Sequence, residues 1–314
     1  MMKWRLPLAA LLATLLLAAC GGGGGSDTTA VTGPTTTPSA PMQEPGAPTL
    51  TGNNALDGYN WINYRRAQLG LSVLVRNSRI DAAAQGHSDY QRTNNTITHE
   101  QTPGQPGFTG VTLTDRLTAA NYALIRPYAL GEVISATSNS TGFYQAEELI
   151  AAIYHRFVIF EPIFKEIGAG AATTSNGYTY FTADFTVVNG YSGLGAGQFV
   201  VYPVNNQVNV PTNFFSDSES PDPVPGQNEV GYPISVHADN GGSGVTVQNF
   251  SVAPRGGSTL AVRLLSNATD GDTGRSGAAI VPLAPLRNAT IYDVSFSGTV
   301  SGMAVTRNWS FTTK

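Results

Sequence analysis

Between residues 54 and 70 the apolar side chains fall at Leu56, Tyr59, Ile62 and Leu69, close to a 3.6-residue period, and Gly70 closes the run. This predicts an amphipathic helix. A second helix is predicted after Asn77 or Ser78 as N-cap, with Ile80, Ala83, Ala84, His87 and Tyr90 on its inner face. His87 thus lies on the apolar side and reads as a hydrogen-bonded core histidine rather than a ligand. A short helix is predicted over 113–120 and a longer one over 144–156, where Ala146, Ile150, Ala151 and Ile153 suit close packing on a sheet. Strands are predicted over Glu166–Thr173 and 178–188, joined by a turn at Ser175, Asn176 and Gly177. Helices surrounding a largely antiparallel sheet make this region α+β.

Past Gly190 the helical period disappears. Gly193, Gly195 and Gly197 form a soft joint, and short alternating segments rich in Val, Phe, Tyr and Thr follow at Phe199–Tyr202, 231–238, 244–252, 259–265, 291–299 and 305–312. Gly, Asn and Pro separate them, which predicts an all-β sandwich. The acidic run Asp217, Glu219, Asp222 and Glu229 is interrupted by prolines and reads as a solvated connector rather than a calcium site. His237, isolated on one predicted strand, is assigned no role.

The N-terminus changes the picture from a plain globular chain to an exported one. Lys3 and Arg5 precede an apolar stretch over 6–19, too short to span a bilayer but suited to a signal-peptide core. It ends at Leu17, Ala18, Ala19 and Cys20, which resembles a bacterial lipoprotein processing site with Cys20 as the lipidated residue. Cys20 is the only cysteine, so no disulfide staples the fold. Several acyl chains would make the membrane anchoring stable. The Gly and Thr/Pro-rich stretch after it reads as a disordered tether with an r.m.s. span of roughly 30 Å. The expected organisation is a leader over 1–19, anchor and tether over 20–52, an α+β domain over 53–190, a connector over 191–230 and a β-sandwich domain over 231–314, with a start near 199 as the alternative. The expected location is the bacterial cell envelope, on the outer membrane or cell surface. With a net charge of −4 and no Lys/Arg stripe beyond the first residues, nucleic acid is not an expected partner.

Catalytic motifs are sparse. The residue four after His99 is Pro103, so there is no His-Glu-x-x-His helix. There is no Gly-x-Ser-x-Gly elbow, phosphate loop or dinucleotide fingerprint, and the one Cys is taken by the anchor. What remains is His99, Glu132 and His155, from three separate segments. Two imidazoles and a carboxylate suit a divalent transition metal. An arbitrary trio of this kind is usually three unrelated polar residues, and only the sequence around each one singles it out.

Those surroundings resemble the CAP superfamily, which holds cysteine-rich secretory proteins, antigen 5 and plant pathogenesis-related proteins, and more closely its bacterial branch. The resemblance runs from about 53 to 188. It rests on Asn63 to Leu71 with Leu74, on Ala83 to Tyr90, on Thr98-His99 and Gly131-Glu132, on His155-Arg156 with Pro162, on Glu166 to Gly170, and on 178–185. It implies an α-β-α sandwich with His99, Glu132 and His155 lining a central cleft, where some members hold a metal such as Zn²⁺. Many members carry a second acid before the second His; here that position is Ala152, and Glu148, one turn earlier, is the candidate substitute. Leu149 stands where the family has Trp. Pro285-Leu286, 290–294 and Trp309 to Thr313 resemble bacterial Ig-like modules, which space or adhere rather than catalyse.

Three readings of the cluster follow. In the first, His99, His155 and Glu132 bind a divalent metal and the cleft takes a lipid, glycan or peptide, without turnover. In the second, a metal-bound water with Glu132 or Glu148 as base makes a hydrolase, a protease or esterase of the envelope. In the third, the cluster only braces the cleft of a structural or adhesive protein. Binding at the surface, without catalysis, is the favoured expectation.

Overall fold

The computed structural model describes residues 16–18, 44–240 and 243–314. The expected lipidation site at Cys20, the tether up to residue 43 and nearly all of the leader lie outside them. Among the described residues no helix is long and apolar enough to cross a membrane.

Helix α1 (Asn54–Gln68) begins where the Asn53 side chain accepts from the Leu56 amide at 2.9 Å, and it stops at Gly70, whose φ of 80° few other residues adopt. Helix α2 (Ser78–Asn94) is capped by Asn77, and α3 (Leu113–Ala119) carries a full capping box between Thr112 and Asp115. Five strands form one sheet in the order β1-β3-β5-β4-β2: β1 (Leu16–Ala18), β2 (Val75–Arg76), β3 (Ala129–Thr137), β4 (Glu166–Thr173) and β5 (Thr179–Val187). The central trio is antiparallel; β2 lies parallel on one edge and β1, which falls within the expected leader, on the other.

Helices cover both faces of this sheet. Helix α2 sits so close to β4 that a Cβ on Gly168 would lie 2.2 Å from the Asp81 amide nitrogen, and one on Gly170 2.3 Å from that of Gln85. The opposite face takes α1, α4 (Gly142–Ala151) and α5 (Ile153–Ile159), with Phe181 against Gly58 and Gly131 against Val158. Strand β3 escapes the sequence pattern because six of its nine residues in a row are buried, which leaves no alternation to read.

The predicted helix over 144–156 is two helices, broken at Ala152, where ψ turns to 119°. Nothing at Ala151, Ala152 or Ile153 would stop a helix. The break is stabilised from outside. The amides of Ile153, Tyr154 and His155 donate to the Glu219 carboxylate at 2.7, 2.7 and 3.2 Å. On the other side of the break, Arg156 Nε donates to the Ile150 carbonyl. The orphaned ends of both helices therefore find side-chain partners.

The C-terminal half is two four-stranded sheets. One is ordered β12-β13-β10-β6, from β6 (Phe199–Tyr202), β10 (Ile234–Ala238), β12 (Val262–Ser266) and β13 (Gly277–Pro282). The other is β11-β14-β15-β7, from β7 (Gln207–Val210), β11 (Val245–Pro254), β14 (Ile291–Val300) and β15 (Met303–Thr313). Val236 and Ile280 of the first share a core with Phe250, Phe296 and Phe311 of the second. A hairpin of β8 (Asn213–Phe215) and β9 (Glu229–Gly231) stands beside them.

The acidic stretch expected to be a solvated connector is partly interior: Glu219 is 3% exposed. The reason is its four hydrogen bonds to the start of α5. That helix is buried along all seven residues and is shared by both halves. Ile153, Tyr154 and Phe157 join one apolar cluster with Phe214, Val230, Leu265 and Val281. Arg156 lies between the rings of Tyr202 and Tyr232, 5.0 and 4.9 Å from their centroids, and donates to the Pro233 carbonyl at 2.7 Å. The glycine joint is held as well, since the Leu194 and Gly195 amides donate to Asp239 at 2.7 Å each. His237, unassigned from sequence, is a buried residue packed edge-on to Phe157 and Phe160 and bonded to Ser235.

Candidate functional site

His99 lies on the loop after α2, and that loop is fixed from below by His87. His87 is fully buried, with Nε2 2.7 Å from the Thr98 carbonyl and Nδ1 3.0 Å from Gln101 Nε2. The first contact needs a ring donor and the second a ring acceptor, so this is a neutral imidazole protonated on Nε2. Burial accordingly pushes its pKa down to about 4. The expected core histidine is therefore what positions the candidate one. Arg116 adds a second tie, donating to the His99 carbonyl at 2.9 Å.

His99 Nδ1 stands 2.8 Å from Glu132 Oε1. The other oxygen of Glu132 accepts from Arg116 Nη2. Burial works to raise the Glu132 carboxyl, but the Arg116 charge, with the His99 hydrogen bond behind it, overturns this and holds it well below the usual range. Directly across β3 and β5 from Glu132 is Asp184, fully buried. No N–H or hydroxyl among the described residues reaches either of its carboxyl oxygens. Burial, then the Glu132 charge, push the Asp184 carboxyl far above the usual range. Its hydrogen-bonding opportunity is as the protonated acid, donating to Glu132. Two carboxyls side by side thus hold one proton and one negative charge, and Arg116 neutralises the charge.

His155 and Glu148 belong to a different network. His155 Nδ1 donates to Glu219 Oε1 at 3.0 Å. Glu148 Oε2 accepts from Ser135 Oγ at 2.8 Å. Glu132 and Ser135 are three apart on β3, so their side chains leave opposite faces of the sheet. The structure brings His99 to Glu132, and His155 to Glu219 with Glu148 nearby; it does not join the two groups. Glu219, from beyond residue 190, supplies the acid beside His155, where Ala152 has none to offer.

A divalent cation does not fit this arrangement. Among the described residues no three His, Cys, Asp or Glu side chains converge to hold one. Both oxygens of Glu132 are engaged, one of them by a guanidinium whose charge opposes a cation. Sequence reading missed Arg116, Asp184 and Glu219. Two of them carry a signal: Arg116 shares a helix face with Leu113 and Leu117, and Asp184 interrupts the run from Tyr180 to Phe185. A charged residue at a core position is the mark of a buried network. Glu219, inside a Pro-rich acidic stretch, carries none.

A second feature lies between α4 and the β8 hairpin. It is a cavity of about 250 Å³ lined by Tyr144, Glu148, Phe214, Phe215 and Tyr232, among others.

The family match falls within the α+β half. A search of curated proteins gives no match. An extracellular protein containing an SCP domain from Bacillus anthracis is 24% identical over 42% of this chain and 39% of its own, with a TM-score of 0.36. An outer surface protein from Borrelia burgdorferi is 17% identical over 42% of this chain and 90% of its own, at a TM-score of 0.35. This chain thus spans well under half of the Bacillus protein. Residues 59–185, which hold every element of the His99–Glu132 site, match the model of the cysteine-rich secretory protein family, CAP.

Proposed function

We propose that this is a lipid-anchored envelope protein, attached through Cys20, whose CAP-type unit binds a small lipid, glycan or peptide ligand and does not turn it over. The histidines in this reading brace the fold instead of ligating a metal. One observation carries it: each candidate imidazole gives its Nδ1 to a different carboxylate, His99 to Glu132 and His155 to Glu219. A hydrolase needs a base or a metal-bound water at the reacting atom. Glu132, 4% exposed and ion-paired to Arg116, is poorly placed for either. The C-terminal sheets, with their likeness to bacterial Ig-like modules, serve as a rigid support, since α5 is common to both halves.

A calorimetric Zn²⁺ titration of the protein beside His99→Ala and His155→Ala tests this. The expected result is no saturable uptake by any of the three. One-site uptake by the parent that both substitutions abolish would overturn the reading and restore the metal site.

A further inference from the structure

The cavity between α4 and β8 has a composition that selects its occupant. Tyr144 on α4 and Phe214, Phe215 and Tyr232 from the other half supply aromatic walls, and two carboxylates, Glu147 and Glu148, lie among them. No Lys or Arg lines it. Glu147 is already compensated: its Oε1 accepts from both Trp61 Nε1 and Arg65 Nε. Glu148 is not. Among the described residues it has no ion-pair partner; its one hydrogen bond is the Ser135 hydroxyl on Oε2, and the neighbouring His155 has committed Nδ1 to Glu219.

Asn213 belongs to the same wall and is 6% exposed. Its Nδ2 donates to Glu229 at 2.8 Å, while its buried Oδ1 receives no donor among the described residues. The cavity therefore offers aromatic faces, an uncompensated carboxylate and a spare amide acceptor, and no cationic group of its own. Burial raises the half-buried Glu148 carboxyl above its usual range, a cation beside it would restore the charged form, and aromatic faces attract cations as well. Of the lining residues, Ser218 is exposed and Tyr232 is buried.

We propose that this cavity binds a small organic cation, a primary or secondary ammonium bearing an apolar arm, with Glu148 as the counter-charge and the aromatic rings around the arm. A dry cavity of about 150 Å³ holds benzene, so this one suits an aryl- or alkylammonium of roughly ten non-hydrogen atoms. An anion is disfavoured by both carboxylates, and a neutral alcohol leaves Glu148 uncompensated. This site is separate from the His99–Glu132 pair and stands whether or not that pair takes zinc.

The test is a calorimetric titration of the full-length protein with phenethylammonium and, in parallel, its neutral isostere 2-phenylethanol. Saturable binding of the ammonium, about tenfold or more tighter than the alcohol, is expected. Glu148→Gln keeps the size and the Ser135 acceptor, and should cost the ammonium at least about tenfold while leaving the alcohol unchanged. Phe215→Ala, on a half-buried part of the wall, should weaken both ligands. Equal affinity for the two probes, undiminished ammonium binding by a folded Glu148→Gln protein, or no saturation by the parent protein up to about 10 mM would each overturn the proposal.

Discussion

Glu219 accepts from His155 at 3.0 Å with the same carboxylate that takes the first amides of α5. A residue of the chain's second half thereby decides where a helix of the first half begins. The N-cap of that helix, Ala152, has no side chain able to do so. Glu219→Ala leaves three amides and one imidazole without their acceptor in a buried place. A loss of about 3–5 kcal/mol is expected in urea unfolding. His155→Ala in the Glu219→Ala background should cost far less than it does alone, because both changes remove one interaction. Additive effects would show that the two residues are not coupled.

Asp184 gives a prediction with a sign. Its folded carboxyl titrates well above the ordinary value of 3.8, because of burial and then Glu132, so the folded state holds a proton that the unfolded chain releases. Stability contributed by this group is complete below pH 3.8 and falls as pH rises through the folded value. Asp184→Asn supplies a permanent donor to Glu132 at the same size. The variant should be more stable than the parent at pH 7 and 8, and its stability should vary less between pH 4 and 8. A variant weaker than the parent at every pH would refute the shared proton.

Glu161 and His87 act in opposite directions over overlapping windows. Burial raises the Glu161 carboxyl to about 7 from 4.5, so stability is lost as pH climbs from 4.5 through 7. Burial lowers His87 to about 4 from 6.5, so stability is lost as pH falls from 6.5 through 4. Each is worth about 3 kcal/mol, and in the parent protein they largely cancel between pH 4.5 and 6.5. Glu161→Gln removes one of the two falling contributions and leaves His87 opposed by Asp184 alone, so the variant's stability should fall less with pH across that window than the parent's. An unchanged profile in thermal melts at pH 4.5, 5.5 and 6.5 would count against the assignment.

The α2–β4 contact gives the simplest test. Neither Gly168 nor Gly170 can take a side chain, since a Cβ would fall 2.2 to 2.3 Å from helix backbone. Helix α2 cannot retreat without carrying His87 and the Thr98–His99 loop away from Glu132. Gly170→Ala should lower stability by about 3 kcal/mol, as overpacking against rigid backbone does. It should also perturb the His99 imidazole resonances in NMR. A neutral substitution would mean that the helix slides freely.

Much of the first half is legible because its signals are local. Asn53 and Asn77 cap the helices they precede, Gly70 ends α1, and the inner face of α2 has the period of its burial. His99 and Glu132 stand out by their neighbours in sequence, and they do meet. The missing parts of the site are not local. Arg116, Asp184 and Glu219 are far from His99, Glu132 and His155 in sequence, and only β3–β5 pairing, the packing of α3 and the return of the chain past residue 215 bring them together.

Sequence by itself thus determined the elements whose ends are made by adjacent side chains, the α+β character of the first half, and the β character of the second. Tertiary structure alone decided that 144–156 is two helices and that His99 and His155 serve different carboxylates on different faces of one sheet. It also decided that an acidic stretch which reads as solvated reaches into the core. The physical reason is common to all three. Caps and periodicity act over a few residues of chain, while a buried charge takes whichever opposite charge or amide the fold delivers, at any distance along the sequence.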